Sequence, residues 1–328
     1  MLPSIDPLYM NKGFVPREIV TTGVIAMICC VGISLNSSLV YVTIKTKSLH
    51  SPCLILVALY AFFGSFLLFG NCVKFVIFVF GINYITLRTC FYIQIVPIIG
   101  TAITLTLQLC IGLDRLIGVI FPFWYKANGK KVAFKFAIGI CCIRSILNGV
   151  NAYIGSSRHW KKPVMCILGD PSQQPENQYF SNLSALVVYC GEFLCYTLIL
   201  LIMWRRKPTI PQNVKKLTLS LSVLMSIGLI CYLLNTIFSN VIMPFLNLDA
   251  FTIENFVLQI SFALQSMAYG SSAPVLYFCN TQYRRAFRTQ FAEHLEEQII
   301  HKEETPVAQL EELPTDWVED VGSSPTRG

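Results

Sequence analysis

Long apolar stretches separated by short polar segments organise the 328-residue chain. Seven of them can be traced: Ile19 to Ile44, Pro52 to Phe80, Thr89 to Ile120, Val132 to Ile154, Leu183 to Trp204, Leu217 to Met243 and Thr252 to Phe278. A helix needs roughly 20 such residues to cross a hydrocarbon core of about 30 Å. The run from Thr89 to Ile111 has no charged side chain, and just beyond it stand an adjacent acid and base, Asp114-Arg115. The pattern predicts an all-α membrane protein, a seven-transmembrane helix bundle over residues 19–278 with its two termini on opposite sides.

Past the seventh stretch the period changes. Tyr283, Phe287 and Phe291 recur at i, i+4 and i+8 with Arg284, Arg285 and Arg288 between them. That spacing predicts a short amphipathic helix over residues 279–295, lying on membrane lipid and drawn to anionic headgroups. Residues 296–328 are acidic and interrupted by Pro306, Pro314 and Pro325, the composition of a disordered tail.

Composition closes off alternatives. Hydrophobic residues make up 54% and charged ones 13%, against about 25% charged in soluble domains, so there is no water-soluble core to build. Most of the thirteen cysteines lie inside apolar runs, as do Cys29, Cys110, Cys141 and Cys231, and read as small buried hydrophobes. In residues 1–18, Asp6, Lys12, Arg17 and Glu18 precede the first apolar run. That order is unlike a cleavable signal, so the first helix is expected to serve for insertion.

Charge sets the orientation. One side of the predicted bundle carries fourteen lysines and arginines, among them Lys45, Lys130, Lys131, Arg205 and Arg284; the other carries six, Lys12, Arg17, Arg88, Arg158, Lys161 and Lys162. By the positive-inside rule residues 1–18 are extracellular, and Asp114-Arg115 and the tail face the cytoplasm. Cys90 precedes Arg115 by 25 residues, about 37 Å along one helix, and so emerges on the outer face. The longest outer loop, 155–182, contains one cysteine, Cys166. Either the two form a disulfide that pins the loop over the bundle, or both are free thiols. Asn182-Leu183-Ser184 is a glycosylation sequon at the edge of the fifth span.

Charged groups inside spans turn toward the bundle interior; here they are Lys74, Arg144 and Glu192. The chain has no Walker loop, no HExxH and no Gly-x-Gly-x-x-Gly turn, and its four histidines are scattered without ligand spacing. No enzyme activity, cofactor, metal or nucleic-acid partner is expected.

Seven spans, Cys90 at the outer end of the third with Cys166 in the next outer loop, and Asp114-Arg115 at its inner end together resemble the rhodopsin-like G-protein-coupled receptors. Leu113-Asp114-Arg115-Leu116 through Phe121-Pro122-Phe123-Trp124-Tyr125, with Ser272-Ala273-Pro274-Val275-Leu276-Tyr277, is similar to the nematode serpentine chemoreceptors of the SX class. The resemblance implies a plasma-membrane chemosensory receptor that detects an external small molecule and activates a heterotrimeric G protein. It implies that Arg115 holds the inner face closed by pairing with Asp114 and turns to the G protein on activation, that Tyr277 stabilises the open state, and that Pro274 bends the seventh helix. Lys74, Thr101, Tyr232, Asn235 and Gln259 match pocket-facing positions, with Lys74 a contact for an anionic odorant.

The sequence departs from the wider pattern at three places. The aspartate that normally partners Asn36 falls on Gly64, the asparagine before the seventh-helix proline is Ala273, and Cys231-Tyr232-Leu233-Leu234 replaces the usual Trp and Pro of the sixth helix. A peptide or transmitter receptor of the same fold is the nearest alternative. A seven-helix transporter or ligand-gated channel is a more distant one, since carriers commonly show paired internal repeats and none is visible here.

Overall fold

The computed structural model describes residues 15–205, 212–237 and 258–292. Residues 1–14, most of the sixth-to-seventh connection and the acidic tail lie outside them. Helix α1 runs Pro16–Lys45, α2 Pro52–Val79, α3 Leu87–Ile120, α4 Lys130–Ser157, α5 Pro175–Arg205, α6 Gln212–Ile237, α7 Leu258–Gly270 and α8 Ser272–Cys279; α9 covers 281–292. Helices α1 and α2 both open on proline, whose missing N–H costs nothing in a first turn. Thr86 caps α3 by accepting the Thr89 N–H at 3.3 Å.

Helices α1 to α5 are each long and apolar enough to cross a membrane, and α6 and the α7–α8 pair extend the bundle. The outer surface is as apolar as the core, and the core holds polar side chains among its apolar ones. Asn36, Gln94, Thr104, Gln108 and Ser272 are buried, while Phe136, Ile143, Ile146, Val150, Leu186 and Phe193 are exposed. Helices α2 and α3 are central, each 61% buried over its apolar window, and α4 is peripheral at 17%.

Several boundaries differ from the hydropathy reading, two of them with consequences for packing. Helix α5 starts at Pro175 rather than Leu183, because Glu176-Asn177-Gln178 continue it beyond the apolar part. The Asn177 side-chain amide holds this polar turn to α4 by donating to the Asn151 carbonyl. The seventh column breaks at Ser271. Pro274 has no N–H for the Gly270 carbonyl four residues back, and its ring crowds that carbonyl, so the helix restarts with proline in its first turn. A polar side chain from α1 reaches the same break at the neighbouring carbonyl: Asn36 Nδ2 donates to Tyr269 O at 3.2 Å. Gly64 faces Asn36 from α2, where a Cβ would lie 3.7 Å from Nδ2.

At the same level α1 and α7 touch backbone to backbone. A Cβ on Gly32 would lie 2.8 Å from Leu68 Cδ1 and 3.1 Å from the Gly270 Cα, and one on Gly270 would lie 2.9 Å from the Gly32 Cα. Small residues allow this approach where no hydrophobic driving force separates helix from lipid. Gly270→Ala should therefore lower stability by about 1–3 kcal/mol through overpacking. Gly139→Ala, at a position with open space around it, should not, and thermal unfolding of the purified chain compares the two.

Candidate functional site

At one end of α3, Asp114 is 2% exposed. Its Oδ2 accepts from Arg115 Nη2 at 2.5 Å and from Arg115 Nε at 3.1 Å. Neighbours along a helix do not normally face each other, and a third residue draws this pair together. Beyond Ile120 the chain turns through Phe121 and Pro122, and Tyr125 N bonds back to Phe121 O at 3.0 Å. The Tyr125 hydroxyl then lies 2.7 and 2.8 Å from the two Asp114 oxygens, donating to that carboxylate. It accepts in turn from Arg115 Nη2 at 3.0 Å. Burial, partly offset by the Arg115 guanidinium, holds the phenol above its usual range, so it remains a donor. The signal for Tyr125 was present in the sequence, an aromatic hydroxyl just past a proline-led reversal, but its partners are fixed only by the turn.

Midway along α3, Gln108 Nε2 donates to Glu192 Oε1 of α5 at 2.6 Å. Both side chains are buried. Gly228 of α6 makes room, since a Cβ there would lie 3.0 Å from Gln108 Nε2. Arg144 donates to the Ser184 carbonyl at 3.3 Å, joining α4 to α5.

At the other end of α3 Cys90 and Cys166 form a disulfide, with Cα atoms 5.3 Å apart. Gln94, one turn further along, donates to Gly70 O at 3.0 Å and Cys166 O at 3.2 Å, tying α2, α3 and the loop together. Two short antiparallel strands, β1 Ile85–Thr86 and β2 Pro163–Val164, pair Ile85 with Val164. Beside them Lys74 Nζ lies 3.0 Å from Glu18 Oε2, with the two side chains only 11% and 4% exposed. Lys74 is thus already paired, by an acid in the first turn of α1 that sequence reasoning passed over. The only hint of Glu18 was its place next to the first apolar run.

Lys74, Asn71, Thr22 and Gln259 line a cavity of about 20 Å³ with Ile25 and Leu168. Gln259 is 7% exposed and its Oε1 has no hydrogen-bond partner. In the loop that contributes Ile167 and Leu168, Asp170 accepts the Ile167 N–H at 2.8 Å. Burial pushes its carboxyl up to about 6, opposed by that N–H and by Lys162 and Lys74.

The remaining candidates are dispersed. Thr101 donates to Pro97 O of its own helix at 2.9 Å. Tyr232 and Asn235 belong to α6, but their side chains lie outside the described residues. Asn182 is exposed and sits inside α5 rather than in a loop. Pro274 lies at the start of α8; Tyr277 packs edge-on against Phe278 and Phe287, and no hydrogen bond joins it to Arg115 among the described residues. Arg284 caps α8 by donating to Tyr277 O at 3.2 Å and Phe278 O at 2.5 Å. The described residues hold no cluster of three His, Cys, Asp or Glu side chains that could bind a metal.

Five helices long and apolar enough to cross a membrane, a disulfide at one end of the central helix and a buried acid–base pair at its other end mark a multi-pass helical membrane protein. Residues 29–291 match the family described as Serpentine type 7TM GPCR chemoreceptor Srsx. The chain belongs to that family, which is one of receptors and not of enzymes. No curated protein matches it.

Two outcomes follow from the disulfide end. Lys74→Met strands the Glu18 carboxylate and should cost about 3–5 kcal/mol, whereas the Glu18→Leu/Lys74→Met double variant should recover most of it; thermal unfolding of the three variants measures the difference. For Asp170 the folded pKa of about 6 stands above the ordinary 3.8, so the folded state binds the extra proton. Stability should rise as pH falls from about 6 toward 4, with nothing gained above that window, and the rise should be missing from Asp170→Asn.

Proposed function

We propose that this chain is a plasma-membrane chemoreceptor that takes up an external small molecule at its disulfide end and couples to a heterotrimeric G protein at the end carrying Asp114-Arg115. The orientation rests on the fourteen-to-six excess of lysine and arginine on the Asp114 side. It puts residues 1–18 outside, α9 against the inner leaflet and the acidic tail in the cytoplasm. Facing α9 toward lipid agrees with its exposed Phe291, Arg285 and Arg288 and its buried Tyr283 and Phe287.

The observation that carries the coupling reading is the closed triangle of Asp114, Arg115 and Tyr125. It withholds the guanidinium from any partner, so the resting state is one in which the G-protein surface is incomplete. A ligand that favours the opened bundle need only shift this equilibrium. A helix of the G protein would then dock in the cleft beside Arg115, with Lys130 and Lys131 adding basic surface.

The triangle can be dismantled without a ligand. Asp114→Asn should raise basal nucleotide exchange on a purified G protein, and Tyr125→Phe should raise it less, each within the 5- to 150-fold range of about 1–3 kcal/mol of bias. Asp114→Asn/Arg115→Ala should abolish the gain. Exchange that is unchanged in Asp114→Asn, or retained in the double variant, removes the coupling role from Arg115.

A further inference from the structure

A groove of about 420 Å³ lies between α1, α8 and α9, and its walls are mostly apolar. That volume is within the roughly 300–1,000 Å³ of small-molecule sites. Leu35 stands on the α1 side and Pro274 and Phe278 on the α8 side, while α9 contributes Phe287, Arg288 and Phe291. Phe287 and Phe291 stack with ring centres 6.0 Å apart, and Tyr277 meets Phe287 edge-on, so the aromatic wall is already built. It is also uncovered, with Phe278 70% and Phe291 53% exposed. Tyr283 of α9 sits beside Thr43, and Cys53 beside Asp114, which places the groove at the Asp114 end of the bundle.

The polar groups on the wall are few. Ser38 donates its hydroxyl to the Ser34 carbonyl of its own helix at 2.9 Å, and Pro274 has no N–H. Arg288 is the one charged residue lining the groove, and no ion pair or hydrogen bond holds it among the described residues. An occupant must therefore lay an apolar chain on the walls and bring an anion to the guanidinium.

That requirement sorts the candidates. A neutral sterol fills apolar space but leaves the cation without a counter-charge. A choline phospholipid adds an ammonium that Arg288 and the exposed Arg285 repel. A second copy of the chain, set across a two-fold axis, presents the same face with the same arginine. An anionic phospholipid meets both demands, because a guanidinium pairs with phosphate through two parallel N–H bonds. The cytoplasmic leaflet supplies such lipids.

We propose that this groove binds one anionic phospholipid, an acyl chain lying on Phe278 and Phe291 and the phosphate paired with Arg288. Bound there, the lipid joins α9 to α1. Only the choice of leaflet rests on the cytoplasmic placement of the Asp114 end; the chemistry of the groove is independent of it.

The test uses the full-length receptor in detergent micelles and counts bound lipids by native mass spectrometry as dioleoyl phosphatidylserine or dioleoyl phosphatidylcholine is titrated in. One phosphatidylserine should bind saturably. The choline lipid should bind more weakly, and Arg288→Gln should weaken phosphatidylserine about fivefold, the equivalent of about 1 kcal/mol for one cation at an anionic surface. Lys135→Gln, with the same loss of charge on α4, should change nothing. Leu35→Trp, which fills the groove from α1, should weaken both lipids; if it does not fold, the exposed Arg288 decides. The proposal is overturned by absence of saturable phosphatidylserine binding, by equal binding of the two lipids, by Arg288→Gln binding unchanged, or by a loss as large in Lys135→Gln. It is also overturned by oleate or cholesterol displacing phosphatidylserine at the same concentration. A fatty-acyl mass that Cys279→Ser removes would overturn it as well, since a chain carried on that exposed thiol would then fill the groove. No G protein and no leaflet enters this measurement, so its failure leaves the coupling and orientation readings standing, and their failure leaves the lipid site standing.

Discussion

A polar group inside a bilayer has no water to turn to, and nearly every specific contact in this bundle answers that constraint. Asn36 gives its amide to the Tyr269 carbonyl beside the break at the end of α7. Gln94 bridges two backbone oxygens on α2 and the disulfide loop, and Gln108 meets the buried carboxyl of Glu192. At each end of the bundle an ion pair is closed by a second acceptor or a loop. The apolar side chains supply the surface that suits lipid. The polar ones decide which helix sits beside which, because a mismatch leaves a buried group unpaired at about 1–3 kcal/mol.

Helix α3 is where these contacts converge. It carries the disulfide, the Gln94 bridge, the Gln108 bond and the Asp114-Arg115 pair on one continuous run of 34 residues. Pro97, inside the helix between the Gln94 and Gln108 attachments, removes one backbone donor there. Both candidate regions lie on or beside α3: the Cys166 loop rests on Cys90 and Gln94 at one end, and Asp114 and Arg115 stand at the other. The glycines at 70, 112 and 228 keep that helix close to α2, α5 and α6.

The bundle was legible in hydropathy because lipid imposes a long, uniform signal, and the acid–base pair was legible because two charges at the end of such a run stand out. What the sequence withheld was partnership. Lys74 is visible as a charge inside a span, but its neutralisation by Glu18 depends on where α1 begins, three residues before the apolar stretch does. Tyr125 joins Asp114 only because the chain reverses at Pro122. The early start of α5 was hidden for a related reason: hydropathy reports the part of a helix that lies in lipid, and Pro175 to Asn182 continue the helix with polar residues.

The substitutions at Gly64 and Ala273 acquire a physical meaning from the break in the seventh column. With an aspartate absent, the carbonyl of Tyr269 is held by a neutral amide, and Asn36 Oδ1 is left without a partner. A neutral hydrogen bond contributes about 1 kcal/mol net, where one to a charged group contributes up to about 3. The backbone contact between Gly32 and Gly270 makes up part of that difference by dispersion, which acts over short distances and is lost when the helices separate by a fraction of an ångström. The α1–α7 junction is therefore stiff against small displacements and weak against large ones.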